Sequence, residues 1–232
     1  MRKGWKEVRL GDVIEYIVDN RGKTPPTCEK SPYELIEINA ISATLKSPQY
    51  NEIKKYVDED TYLHWFRNGH PKEGDILVPT VGTLGAVSYV NKKRGSIAQN
   101  LIALRTNLLL CHNEFLYYVL CNPNTKQRLL NLDIGGVQPS IKVPHLLDLF
   151  FDIPPLSEQR AITAILSCLD NKIELNNAIN HHLAERSATD SSPDIRRGRS
   201  VSRRAARRAF SCSRSSCCSN IGVQISLNRL SA

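Results

Sequence analysis

No apolar run in this 232-residue chain approaches the roughly 20 residues that a membrane-spanning helix needs, which excludes a helical membrane protein. The opening stretch Met1-Arg2-Lys3-Gly4-Trp5-Lys6-Glu7 has no apolar signal region, so export is not expected. Seven cysteines, an odd number at irregular spacings, do not describe a secreted disulfide scaffold. A cytoplasmic protein with reduced thiols is the expectation.

Catalytic signatures are missing as well. There is no Walker-type glycine loop, no HExxH pair and no Gly-x-Ser-x-Gly elbow. Cys212, Cys217 and Cys218 form C-x4-C-C, but a closed zinc site takes four ligands and no fourth stands nearby. His181-His182 read as solvated, and His64 and His70 flank Trp65 and Phe66 without a Cys or Asp at useful spacing. Pro154-Pro155-Leu156 has the Pro-Pro core of an adenine methyltransferase motif without the preceding Asn or Asp or the following aromatic. No catalytic residue, metal or cofactor is expected.

What is present fits a globular protein, with 41% hydrophobic and 23% charged residues. The net charge of +8 is unevenly placed. Residues 1–185 carry 21 basic and 21 acidic side chains, so this body is neutral. Residues 186–232 carry 10 Arg against Asp190 and Asp194, which accounts for the whole excess. The pI therefore leaves open whether the body binds nucleic acid, because a neutral domain can segregate its cations onto one face.

Turn signals divide the body into short strands and helices. Trp5 to Val13 reads as an opening strand followed by a turn at Gly11-Asp12, and Tyr33 to Ile41 as a further strand. Paired prolines make Arg21-Gly22-Lys23-Thr24-Pro25-Pro26-Thr27 a loop. The run Ile76-Leu77-Val78-Pro79 turns through Gly82-Thr83-Leu84-Gly85 into Ala86–Val90 as a hairpin. After the basic turn Asn91-Lys92-Lys93-Arg94-Gly95, residues 97–104 return as another strand, and 113–120 and 127–132 read as helical. Hairpins with separate helices predict an α+β domain rather than a doubly wound sheet.

After Pro154-Pro155, Ser157 is a suitable N-cap for a helix over 157–185. Ile162, Leu166, Leu169, Ile173, Asn176, Asn180 and Leu183 recur at alternating steps of four and three, which is heptad spacing. Either this helix packs on its own domain or it is a coiled-coil-like arm that meets a partner helix. The asparagines favour the arm, since amides at a seam fix register and partner. From residue 186 the chain becomes Ser- and Arg-rich, with too little apolar surface to order itself.

The chemistry left is recognition. Arg21, Lys23 and Thr24 form one polar loop, Lys92, Lys93 and Arg94 a second, and Gln138 to Lys142 a third. Lys and Arg reach phosphates, and Arg, Gln and Asn pair with base edges, although a single basic turn is also ordinary solvated surface.

Several segments resemble one family. Trp5-x4-Leu10-Gly11-Asp12-Val13 with Gly22-Lys23-Thr24-Pro25 is similar to the opening of a target-recognition domain in type I restriction–modification specificity subunits. The similarity continues through Gly74-Asp75-Ile76-Leu77, Gly82-Thr83-Leu84-Gly85 and Gln99-Asn100. It is strongest in Gly136-Val137-Gln138-Pro139-Ser140-Ile141 and in residues 153–162. The resemblance implies a non-catalytic DNA-binding subunit. It would use residues 1–153 for target recognition and 154–185 as a spacer or dimerisation helix. Its partners would be double-stranded DNA, modification (methyltransferase) subunits and, through them, restriction subunits, with a homodimer formed through 157–185. Thr83 joins the loop residues as a DNA contact on the same basis. The family helix would continue beyond Glu185 into a second domain, and the Arg/Ser/Cys-rich sequence there reads instead as an out-of-frame or rearranged ending. The rival readings are an Arg/Ser-tailed protein that binds RNA or other polyanions, and a nonfunctional truncated product.

Overall fold

A computed structural model describes residues 4–42, 44–133, 135 and 139–189, with side chains to 186. Gln138 and residues 190–232 lie outside the described residues. Residues 1–185 form one compact unit.

The fold is mixed α+β. Strand β1 (Lys6–Arg9) pairs antiparallel with β9 (Phe150–Ile153), so the start of the domain is tied to the strand just before the last helix. The main sheet has the order β2 (Ile14–Val18), β8 (Leu101–Thr106), β5 (Ile76–Pro79), β6 (Ser88–Tyr89), with every neighbour antiparallel. A smaller sheet sets β3 (Tyr33–Ile36) between β4 (Tyr56–Val57), antiparallel, and β7 (Ser96–Ile97), parallel. Helices α1 (Leu10–Val13), α2 (Glu59–His64), α3 (Asn113–Cys121), α4 (Pro123–Leu130) and α5 (Val143–Leu147) connect these strands.

The apolar run Ile76-Leu77-Val78 is continuous because β5 is covered on both faces, as a central strand should be. Ile76 and Val78 enter a core shared with α1, α3 and α4, together with Ile102 and Leu104 of β8. Leu77, with Leu101 and Ala103, enters a second core beneath β3 and β7. Period-two alternation thus feeds two cores from the same strands. Asp75 is buried at the start of β5, where Arg105 grips both of its oxygens, at 3.0 and 2.7 Å. The hairpin through Gly82–Gly85 forms as expected, with Ile76 opposite Tyr89 and Leu77 opposite Ser88.

Some local expectations give way to tertiary pairing. Residues 97–104 make two strands, because the chain breaks at Ala98–Asn100 to pass from the small sheet into the main one. Gly11-Asp12 lies in the helical turn α1, and the strand from Tyr33 ends at Ile36 before a 3-10 turn over Ile38–Ala40. The last helix, α6, runs Leu156–Thr189, one residue earlier and four later than the spacing predicts. Ser157 is therefore inside the first turn, and the Pro155 carbonyl accepts the opening bonds from Glu158 and Gln159 at 2.9 and 3.0 Å.

Candidate nucleic-acid interface

The Arg21 loop meets a segment more than forty residues away. Asn20 Nδ2 donates to the Gly69 carbonyl at 2.9 Å, and the Asn68 amide donates to Asn20 Oδ1 at 3.0 Å. The Asn68 side chain also donates to the Asp19 carbonyl. These bonds hold the loop 19–23 against the chain that leaves α2, whose first turn is capped by Asp58 accepting from the Thr61 amide at 2.7 Å. Between the two segments lies a recess of about 620 Å³ lined by Asp19, Arg21, Lys23, His64, Trp65 and Arg67, among others.

Charge within the recess is not uniform. Arg21 is bound side-on by Asp19, Nε to Oδ1 at 2.7 Å and Nη2 to Oδ2 at 2.6 Å. The hydrogen bonds from Arg21 hold the Asp19 carboxyl below its ordinary range, and those to Asp19 hold the Arg21 guanidinium above its own. Lys23 and Arg67 make no side-chain hydrogen bond or ion pair among the described residues, so their charges stand uncompensated at the rim. Trp65, Arg67 and Asn68 were not singled out by sequence as contact residues. The interleaving His64-Trp65-Phe66-Arg67-Asn68 carries an aromatic and basic signal that a search for metal ligands passes over.

Hydrogen bonds link this loop to the next. Thr24 Oγ1 donates to Gln99 Oε1 at 3.1 Å, and the neighbouring Asn100 carbonyl accepts the Thr80 amide at 2.9 Å. From Thr80 the chain enters the Gly82–Gly85 turn, where exposed Thr83 sits, and Ile141 donates back to the Thr80 carbonyl at 2.9 Å. The Gly82 amide donates to the Pro139 carbonyl at 2.9 Å, and Val81 bridges Ser140. Lys142, exposed, follows at the start of α5. Gly85 has φ +77° and lies so close under Lys126 that a side chain there would strike the Lys126 stem, which adds a cation sequence reasoning did not identify. Arg21, Lys23, Thr24, Thr83 and Lys142 thus stand on loops joined in series.

Among the described residues, no hydrogen bond joins the Lys92–Arg94 turn to that series. The turn precedes β7, whereas Gln99 follows it, so the turn is at the other end of that strand. Arg94 is tied to Glu34, and its guanidinium lies 4.6 Å from the Tyr50 ring centre. Gly95 has φ +56°, and a Cβ there would also collide with the Glu34 carbonyl, so the position admits only glycine. Lys92 and Lys93 are exposed, and Lys93 faces His70, the end of a stack with Tyr62 (3.8 Å) and Tyr33.

Helix α6 presents two different faces. Gln159, 1% exposed, accepts the His112 amide at 2.8 Å and donates to the Pro154 carbonyl at 2.9 Å. Thr163 is buried one turn on, Asp170 accepts from Tyr118 at 2.6 Å, and Glu174 from Ser47 at 3.4 Å. This polar stripe docks the helix on the domain. Of the heptad seam, Ile162 packs against the core and Leu166 is half-buried, but Leu169, Ile173 and Leu183 are exposed at 43, 51 and 58%. Asn176 and Asn180 are exposed on the same helix. The helix therefore packs on its own domain near its start and leaves the rest of the seam exposed. Among the described residues, no helix is long and apolar enough to cross a membrane. His181, His182 and Glu185 cluster on its exposed outer part, with ligand atoms within 4.8 Å of one another.

A domain of this mixed topology, ending in such a helix, has known counterparts. Residues 2–185 match the family model of the type I restriction modification DNA specificity domain, and the chain belongs to that family. It is similar to the type I restriction enzyme MjaVIII specificity subunit of Methanocaldococcus jannaschii, 40% identical over 178 residues. That match covers 74% of this chain and 40% of the relative, so the chain spans about two fifths of it. The fold is similar to the crystal structure of the HsdS subunit from Thermoanaerobacter tengcongensis, with TM-score 0.53 and 21% identity over 77% of this chain and 40% of that one. It is also similar to the S subunit of a type I restriction–modification system from M. genitalium, with TM-score 0.57 and 19% identity over 80% and 45%.

Proposed function

We propose that residues 1–153 read one part of a duplex DNA target, and that α6 pairs its exposed seam with a second helix of the same kind. The chain would then direct modification subunits, and through them restriction subunits, to that target. It performs no chemistry and carries no cofactor. The observation that supports this reading is the series of joined loops from Arg21 to Lys142, beside a recess where Lys23 and Arg67 carry charges without acidic partners among the described residues. Uncompensated cations gather phosphates, and polar side chains held between them meet base edges.

The test is the salt dependence of binding to a random-sequence duplex, followed by fluorescence anisotropy. Each lost phosphate contact makes the slope of log K against log salt shallower by about 0.9. The variant Lys23→Ala/Arg67→Ala is expected to bind more weakly, with a slope shallower by about 2. An unchanged slope would remove the recess from the interface.

A further inference from the structure

We infer that Arg21 reads a guanine in the major groove, and that Asp19 is the residue that aims it. This rests on the DNA-reading function proposed above and assigns two positions within it. Asp19 holds the Nε and Nη2 edge of the guanidinium through both carboxylate oxygens, at 2.7 and 2.6 Å. The Arg21 amide also donates to Asp19 Oδ1 at 3.2 Å, and the Asp19 carbonyl is bound by Asn68, so the carboxylate is itself fixed. The chain turns away at once, because Gly22 takes φ +126°. What remains free is the end of the fork, Nη1 and the outer N–H of Nη2. That pair of parallel donors matches guanine O6 and N7.

Charge decides between a base and a phosphate. Arg21 and Asp19 together are neutral, so a phosphate at the fork would gain from one and be repelled by the other. Guanine offers uncharged acceptors and incurs no such repulsion. Lys23 and Arg67, on the same recess and without acidic partners among the described residues, supply the phosphate contacts instead. A guanidinium held in place also loses less side-chain entropy on binding than a free one.

Selection from a randomised duplex library by the full chain, followed by sequencing, tests both positions. The wild-type chain is expected to enrich a motif with one invariant guanine. Arg21→Lys keeps the charge but not the fork, and should relax that single position by about ten-fold or more while the rest of the motif stands. Asp19→Asn should relax the same position and, by releasing a net positive charge, raise affinity for random duplex and steepen its salt dependence. A purely structural role for Asp19 would lower both affinities together. If Arg21→Lys weakens binding uniformly and leaves every position intact, Arg21 is a phosphate contact and the assignment is overturned. If the wild-type chain enriches no motif, the DNA-reading function falls, and the guanine assignment with it.

Discussion

Gln159 Oε1 accepts the His112 amide proton at 2.8 Å, and this bond fastens the base of α6 to the start of α3. Gln159 Nε2 in turn donates to the Pro154 carbonyl at 2.9 Å, so a side chain 1% exposed is satisfied at both ends. Replacing it by Ala leaves the His112 amide and the Pro154 carbonyl without those partners. Gln159→Ala should cost about 2 kcal/mol, seen as a lower urea midpoint with unchanged m-value. A midpoint equal to wild type would show that the helix base is held by Thr163 and Ile162 alone.

Tyr118 holds α6 one step further along. Burial first, and then the bond to Asp170, push its hydroxyl well above the ordinary tyrosine range, so it donates at any physiological pH. Tyr118→Phe is expected to cost about 1 kcal/mol and to raise hydrogen exchange in residues 165–175, without loss of the main sheet. Exchange unchanged in that stretch would contradict the docking role.

The basic turn should divide by residue. Arg94 is engaged with Glu34 and Tyr50, so Arg94→Ala should lower stability by about 1 kcal/mol. Lys92→Ala/Lys93→Ala should leave the melting temperature alone and flatten the salt dependence of duplex binding by about 2. Equal salt slopes would return the pair to solvated surface.

The apolar seam predicts association without a cost in fold. Leu169 and Ile173 are exposed, so Leu169→Asp/Ile173→Asp should shift monomer stability by no more than about 1 kcal/mol. Sedimentation across a concentration series should show wild-type self-association, or assembly with a modification subunit, and its loss in the variant. A monomer that also ignores that subunit would leave the seam without a partner.

His70 and His112 set an acid limit. Burial holds both imidazoles below their ordinary value of 6.5, and each has a buried Nδ1 without a partner among the described residues. A folded pKa below the unfolded one means the unfolded state takes up protons first. Stability should therefore be full above pH 6.5 and decline as pH falls below it. Thermal melts from pH 8 to 5 check this, and His70→Phe should flatten part of the decline. A flat wild-type profile would contradict it.

Elements that depend on local pattern were legible in the sequence. Ile76-Leu77-Val78 reads as a buried strand and Gly82–Gly85 as its turn, because apolar continuity and glycine are both short-range signals. The break at Ala98–Asn100 was not legible, since it follows from two different sheets claiming β7 and β8. The Arg21 loop was visible as a polar turn, but its meeting with Trp65 and Arg67 depends on long-range bonds at Asn20 and Asn68. In α6 the apolar heptad drew attention to the seam, while Gln159, Thr163 and Asp170, which dock the helix, look like ordinary polar helix positions.

The most direct measurement is hydrogen–deuterium exchange of the full chain with and without duplex DNA, read by mass spectrometry. The account predicts slowed exchange in 19–24, 64–70, 80–85 and 139–142 together, with the exposed face of α6 unaffected. Protection confined to residues 190–232, with those four segments unchanged, would contradict it and leave polyanion binding by the Arg/Ser tail as the function.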